Sequence, residues 1–295
     1  NVYNNMFISI CEDSRDSLWI GTYGCGLKRF DRKTRQFKTF LSDSADPGSI
    51  GNNYVLVIFE DSRKTLLIGT RSGLNRLDRK TEKFSRILAK DRQQNRSGSN
   101  PTIFDIFEDS AGKIWLGTSI GLRIFNTSAD VYEKHPEPQF SEIRVRIVTE
   151  DSEKRLILGT DSGIIILDRQ SNTVRKIAAV DGLPDDNIRS IVPDDNNNIW
   201  IATNYGLCRL DLTKNRFLNY YRSDGLSGNQ FNPRARLKTV EGNIYFGGMN
   251  GITYFSPDRI EKNKITPNIE ITEFRLMDQV IIPGKDNVLK RTILD

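Results

Sequence analysis

EDSRDSLWIGTYGCGLKRFDRKTRQF, from Glu12 to Phe37, decides the fold because the chain writes it again and again. From Leu18 it reads as a short alternating strand LWIGT, a tight turn, a second strand GLKRF and a polar hairpin DRKTRQF. Near copies are EDSRKTLLIGTRSGLNRLDRKTEKF (Glu60 to Phe84) and EDSAGKIWLGTSIGLRIFN (Glu108 to Asn126). Looser ones are EDSEKRLILGTDSGIIILDRQSNTV (Glu150 to Val174) and PDDNNNIWIATNYGLCRLDLTKNRF (Pro193 to Phe217), and the most divergent is EGNIYFGGMNGITYFSPDRI (Glu241 to Ile260). The residue opening each second strand (Trp19, Leu67, Trp115, Ile157, Trp200, Tyr245) recurs at spacings of 48, 48, 42, 43 and 45 residues. A period of this size marks a repeat architecture. Four short strand signals per unit, with turn chemistry between them, are the pattern of a β-propeller blade. The expected fold is therefore all-β, six blades of four strands over residues 1–262.

Working outward, the first strands of the blades are expected at Phe7–Cys11, Val55–Phe59, Ile103–Phe107, Ile143–Thr149, Ile188–Val192 and about Arg234–Thr239. They are apolar at successive positions, as strands covered on both faces must be. A glycine ends the second strand (Gly21, Gly69, Gly117, Gly159), which implies close approach of neighbouring backbone near the hub. Another opens the third strand, where a tight turn needs positive φ. Asp31, Asp78, Asp168 and Asp211 are placed to cap the hairpins between third and fourth strands. Polar connections at 42–53, 89–101, 135–142, 180–187 and 223–232 join one blade to the next and gather on one face, where functional variation usually resides.

Bulk properties bound the function. The 295 residues are 37% hydrophobic and 27% charged, with no long apolar run; aliphatic stretches such as Ile164–Leu167 are short. No membrane span is encoded in these residues. The net charge of +5 is scattered over hairpin turns, and no nucleic-acid signature accompanies it. Cys11, Cys25 and Cys208 form no CxxC, and Cys11 and Cys208 fall on strands, so buried free thiols are expected. The single histidine, His135, lies in a polar, proline-flanked stretch, which weighs against triads and histidine metal sites. No cofactor is implied. Asp194-x-Asn196-x-Asn198 imitates a calcium loop but has Ile199 where glycine is required and Tyr205 where the glutamate should stand. The repeated acidic pairs (Glu12-Asp13, Glu60-Asp61, Glu108-Asp109, Glu150-Asp151) occupy the same turn each time, so they read as structural, not catalytic. Trp19, Trp115 and Trp200 share a position with Leu67 and Ile157 and read as core.

The LWIGT–GL–R–D signature in EDS-led repeats resembles the two-component regulator propeller repeat. The ending DGLSGNQFNPRARLKTVEGNIYFGGMNGITYFSPDRI followed by PNIEITEF is similar to that family's last blade leading into an immunoglobulin-like juxtamembrane module, expected here at 263–295. The resemblance implies the periplasmic ectodomain of a hybrid two-component histidine kinase of Bacteroidetes. It further implies a homodimer that binds fragments of complex glycans, with membrane contact only through the parent's own transmembrane segment. The family's second propeller generally has seven blades where six are counted here. One blade then lies upstream of Asn1, or the ring closes differently.

Aligned on the acidic pair, the position four before the glutamate reads Ile8, Leu56, Phe104, Arg146, Arg189, Arg234. Two residues earlier it reads Met6, Tyr54, Thr102, Arg144, Asn187, Asn232. A half-ring of guanidinium groups near the axis would recognise carboxylate or sulfate on an oligosaccharide. The competing reading is that these arginines bridge to Asp105, Asp185 or Asp186 and knit blades together. Tyr3, Tyr54, Tyr220 and Tyr221 are the candidate stacking aromatics. Besides a ligand sensor, the fold admits a protein–protein scaffold, or a polysaccharide lyase or hydrolase needing an acid and a base in one pocket.

Overall fold

Short apolar runs closed by glycine or aspartate turns fold into successive antiparallel sheets in a computed structural model that describes residues 6–90, 100–260, 275–277 and 279–280. Blade 1 comprises β1 (Phe7–Glu12), β2 (Leu18–Thr22), β3 (Leu27–Asp31) and β4 (Gln36–Phe40). Blade 2 comprises β5 (Val55–Glu60), β6 (Leu66–Thr70), β7 (Gly73–Asp78) and β8 (Lys83–Ala89). Blade 3 comprises β9 (Ile103–Glu108), β10 (Ile114–Thr118), β11 (Gly121–Asn126) and β12 (Val131–Lys134). Blade 4 comprises β13 (Val145–Glu150), β14 (Leu156–Thr160), β15 (Gly163–Asp168) and β16 (Thr173–Ile177). Blade 5 comprises β17 (Ile188–Pro193), β18 (Asn198–Thr203), β19 (Leu207–Asp211) and β20 (Arg216–Tyr220). Blade 6 has β21 (Phe231–Lys238), β22 (Ile244–Gly248) and β23 (Gly251–Phe255). A fourth strand expected there is not found among the described residues. Each blade is a meander, inner strand to outer, and a short parallel pairing of β8 with β12 joins the outer edges of blades 2 and 3.

The inner strands pack in sequence, β1 on β5, β5 on β9, β9 on β13, β13 on β17 and β17 on β21. Alternating side chains from each strand face the blade before and the blade after. Ile58 and Leu66 join Trp19 and Leu27 of blade 1, while Val57 and Leu67 join Ile103 and Leu116 of blade 3. The three tryptophans sit in these seams at 1–2% exposure. Crowding at the hub explains the strand-ending glycines: a Cβ on Gly117 would stand 2.8 Å from the Val145 carbonyl of the next blade. At Gly163, φ is +92°, so the turn into β15 needs glycine.

The acidic repeat is a girdle of turns. Asp13 accepts the Ser17 and Arg15 amides at 2.9 Å and the Trp19 indole N–H at 2.7 Å. Asp109 with Trp115 and Asp194 with Trp200 repeat the arrangement. Each following serine reaches forward: Ser14 donates to Glu60 at 2.8 Å, and Ser62 to Glu108 at 2.6 Å. Arg79 bridges Asp13 of blade 1 and Glu60 of blade 2, and Arg169 bridges Asp109 and Glu150 in the same way. Asp194, the start of the calcium-like stretch, spends its oxygens on Trp200, Asn196 and Asn198. Asp31, Asp78, Asp168 and Asp211 cap their hairpins by accepting amides two and three residues on.

Some expectations change. His135 is not a solvated loop residue. It is 8% exposed, stacked at 5.9 Å on Trp115 and edge-on at 4.7 Å to Phe140, and burial lowers its pKa. Cys208 is buried and its thiol pushed up to about 12, while Cys11 and Cys25 are half-buried. The chain divides into Asn1–Asp258 and Arg259–Asp295. Of the second unit the described residues are Arg259, Ile260, Met277 and the two-residue strands β24 (Arg275–Leu276) and β25 (Gln279–Val280); the rest of the immunoglobulin-like expectation falls outside the described residues.

The girdle gives a stability prediction. Burial alone would raise the Asp13 carboxyl, but the Trp19, Ser17 and Arg15 hydrogen bonds and the Arg79 charge hold it below its usual value; Glu60 is likewise lowered. Arg79→Met strands two buried carboxylates and is expected to cost about 3 kcal/mol in urea unfolding at pH 7. Arg32→Met, on an exposed pair with Glu12, should cost no more than ~0.5 kcal/mol. Carboxylates with depressed folded pKa lose their contribution as pH falls through that value, so the Arg79→Met deficit should shrink below about pH 4.

Candidate functional site

The connections between blades and the turns between second and third strands share one face of the propeller. The residue after the strand-ending threonine stands on its rim, and it varies: Tyr23, Arg71, Ser119, Asp161, Asn204. This row, together with the starts of the inner strands, builds the candidate site.

On blade 4, Arg144 and Arg146 both converge on Asp161. Arg144 Nη1 donates at 3.2 Å; Arg146 Nε and Nη2 both donate, the latter at 3.4 Å. The Arg146 guanidinium also lies 5.2 Å from the Phe104 ring centre on blade 3. On blade 5, Arg189 Nη2 donates to Asn204 Oδ1 at 2.9 Å, and Gln230 Nε2 reaches the same oxygen at 3.3 Å. Arg189 Nε and Asn187 Oδ1 are buried atoms with no hydrogen-bond partner. Arg234 donates to the Phe104 carbonyl, so it and Arg146 meet at Phe104 from blades 6 and 4.

Arg236, which the sequence alignment did not single out, replaces the aliphatic residue found there in other blades (Ile58, Ile106, Val148, Ile191). It donates to the Ile191 carbonyl at 3.0 Å and to Asp105 at 3.2 Å, and Asp105 also accepts the Val148 amide at 3.0 Å. Blades 3, 4, 5 and 6 are thereby tied at the hub. Loss of water is the largest influence on Arg234; Asp105 opposes it, and Arg236 and Arg146 repel, leaving the guanidinium at about 10. It stays charged at neutral pH.

Of the six residues singled out from sequence, Arg144, Arg146, Asn187 and Arg189 fall on adjacent blades of this face, and Arg234 lies at the hub. Asn232 does not continue the row of Met6, Tyr54 and Thr102. In the other inner strands one residue bulges, as Ile8 does between Phe7 and Ser9. In β21 three residues (Asn232, Pro233, Arg234) stand between Phe231, paired with Gly248, and Ala235, which faces Gly247. The longer bulge holds Arg234 at φ +60°, a strained conformation for a non-glycine residue. The acids named as alternative partners divide: Asp105 serves Arg236, while Asp185 and Asp186 accept the Asn187 and Ala179 amides. Tyr54 packs edge-on against Tyr23 at 4.8 Å beneath Arg71, and Tyr221 lies 5.8 Å from Tyr205. Tyr220 stacks on Trp200 in the core, and Tyr3 lies outside the described residues. Among the described residues no cluster of His, Cys, Asp and Glu could hold a metal ion.

Six radial sheets of this pattern define a β-propeller whose accessible chemistry is an arginine-rich rim. Three of its repeats, at residues 3–24, 97–119 and 182–205, match the two component regulator propeller family. A curated relative, histidine kinase P4 of Formosa agariphila, is 30% identical over 108 residues, which is 37% of this chain and 8% of that protein. In Bacteroides thetaiotaomicron, the extracellular domain of a protein described as a hybrid two component system superposes with a TM-score of 0.69 at 19% identity, over 88% of this chain and 37% of that one. A second such extracellular domain from that organism gives 0.56 at 22% identity, over 96% and 44%. Virginiamycin B lyase of Staphylococcus aureus gives 0.61 at 14% identity, over 83% and 78%. The chain thus spans less than half of the sensor structures it matches. Among the described residues no helix is long and apolar enough to cross a membrane.

Hub and rim should separate in stability measurements. Asp105→Ala leaves the Val148 amide without its acceptor and the Arg236 charge without its counter-ion in a buried setting, and should cost about 2–3 kcal/mol in denaturant unfolding. Arg144→Ala and Arg189→Ala, on the half-exposed rim, should each stay within ~1 kcal/mol.

Proposed function

We propose that this chain is the non-catalytic ligand-sensing propeller of an extracytoplasmic, membrane-anchored two-component receptor, and that its rim binds glycan fragments bearing a carboxylate or sulfate. The observation that carries the reading is the set Arg144, Arg146 and Arg189 on neighbouring blades, with Arg189 Nε and Asn187 Oδ1 buried beside them without a hydrogen-bond partner. Planar guanidinium forks suit oxyanions, and an amide oxygen beside them suits a sugar hydroxyl. The likeness to extracellular sensor domains and to a histidine kinase supports a periplasmic setting and signalling through a homodimer in the parent receptor. A ligand shifts such a receptor only if it binds one arrangement of the dimer better than the other.

A lyase reading has support in the fold of the virginiamycin B lyase, of which a histidine-to-alanine variant is catalytically inactive. Here the single histidine is enclosed between Trp115 and Phe140, and burial lowers its pKa. That favours sensing over catalysis.

The test is calorimetric titration with neutral, carboxylated and sulfated oligosaccharides of matched length. Anionic sugars should bind, and Arg146→Ala/Arg189→Ala should weaken them at least about 10-fold, roughly one lost charge-assisted contact. Equal binding of neutral sugars, or affinity untouched by the double substitution, refutes the anionic site; new unsaturated or reducing ends during incubation refute the non-catalytic reading.

A further inference from the structure

Where the inner strands meet at the hub, one positive charge is left over. Asp161 accepts from Arg146, and Asp105 accepts from Arg236 at 3.2 Å. Arg234 donates to the Phe104 carbonyl, an oxygen that satisfies a hydrogen bond without cancelling charge. Asp105 attracts Arg234 as well, but Arg146 and Arg236 both repel it. The Asp105 oxygen nearest Arg236 is already shared with the Val148 amide at 3.0 Å. The surroundings give little relief. Ile58, Ile106, Val148 and Ile191, which hold the place of Arg236 in other blades, are each at most 7% exposed. A charge in so apolar a setting calls for a counter-charge.

The far edge of the Arg234 guanidinium is accessible. Among the described residues its Nε and Nη2 have no hydrogen-bond partner, and neither belongs to the enclosed polar atoms without one, as Arg189 Nε does. The backbone is strained to present this edge. Arg234 holds φ +60° in the three-residue bulge of β21, whereas Arg146 and Arg189, its counterparts on blades 4 and 5, have no positive φ. Strain of this kind persists where the surrounding structure fixes it, and it clusters at binding sites.

We propose that the hub binds one small monovalent inorganic anion of the chloride class, held by the Nε and Nη2 edge of Arg234 beside Arg236. A single negative charge matches the single guanidinium that lacks a carboxylate of its own. Two parallel N–H groups on a planar fork can share one spherical ion. Chloride and bromide give up their water more readily than fluoride, so a half-buried site selects them. The ion would screen Arg234 from Arg146 and Arg236 and so tie blade 6 to blades 3 and 4. Arg144 and Arg189 take no part, and the assignment does not rest on the glycan reading.

The probe is sodium chloride itself. Thermal unfolding of the whole chain is followed while chloride replaces fluoride at constant ionic strength, with bromide and sulfate in parallel arms. Chloride and bromide should raise the melting temperature saturably by at least about 3 °C, with half the effect reached below roughly 20 mM. This order opposes the general salt effect, in which sulfate stabilises most. Arg234→Gly removes the guanidinium and accepts the positive φ, and should abolish the chloride increment. Arg32→Met, on the exposed pair with Glu12, should keep it. Should Arg234→Gly fail to fold, chloride NMR on the unsubstituted chain decides: the protein-induced line broadening should fall by about half or more when bromide competes, and not with fluoride. Equal melting temperatures in chloride and fluoride, stabilisation by sulfate alone, or an increment that survives Arg234→Gly overturns the proposal. So does broadening that bromide leaves unchanged.

Discussion

A sheet of four short strands has two apolar faces and cannot cover either by itself, so everything here depends on blades burying each other's faces. A fully buried Trp or Leu contributes about 2–3 kcal/mol when removed from water, more than most single polar contacts. Trp19, Trp115 and Trp200 are placed where that contribution is largest, in the seams between successive sheets. Close stacking in turn dictates the hub, where Gly117 and its counterparts leave room only for hydrogen. The girdle of Asp, Ser, Glu and bridging Arg sets the register of one blade on the next. Its buried members are held by several partners each, which is the condition under which a buried charge is tolerable.

That arrangement decides where variation is possible. Positions on blade faces are committed to packing and positions in the Asp turns to capping. The residue after the strand-ending threonine and the residue just before each inner strand (Met6, Tyr54, Thr102, Arg144, Asn187) are bound by neither demand. These are the places where aspartate, asparagine, arginine and tyrosine alternate around the rim. At the hub one commitment is broken: Arg236 replaces an aliphatic side chain, and Asp105 replaces the Val57 or Ile147 of other blades to meet it. A charge pair that spans blades 3 and 6 makes the later blades more polar at their centre than the earlier ones.

The fold was legible because a repeat states each packing rule several times over. One glycine before a threonine is ambiguous; four at the same place in successive repeats report a shared crowding. The roles of Asp31 and its counterparts and of the tryptophans followed from the same repetition. What could not be read was anything set by a local departure. The alignment of Asn232 assumed β21 to be as long as the others, and its three-residue bulge breaks that assumption. His135 looked solvated beside Pro136 and Pro138, yet the chain folds back to set it against Trp115, a contact that sequence spacing does not encode. Asp161 and Asn204 were overlooked for the opposite reason: they vary between blades, and a search for recurring residues passes over them. Variation inside an otherwise constant turn was the signal that would have found them.

The electrostatics of rim and hub bear on what such a surface can bind. Among the described residues, Arg144, Arg146, Arg189, Arg234 and Arg236 are balanced by Asp161 and Asp105, while Asn204 and the Phe104 and Ile191 carbonyls take further donors and Arg189 Nε has no partner. Amide and carbonyl oxygens satisfy hydrogen bonds without cancelling charge, so the cluster keeps an excess of positive potential. Arg234, short of water and facing two other guanidinium groups, pays most for that excess. An incoming oxyanion would relieve this repulsion where a neutral sugar would not, and the relief would be greatest where salt screens least, near the axis. On the proposed ligand reading, the asymmetry between polar later blades and apolar earlier ones would therefore favour an anion approaching over blades 4 to 6.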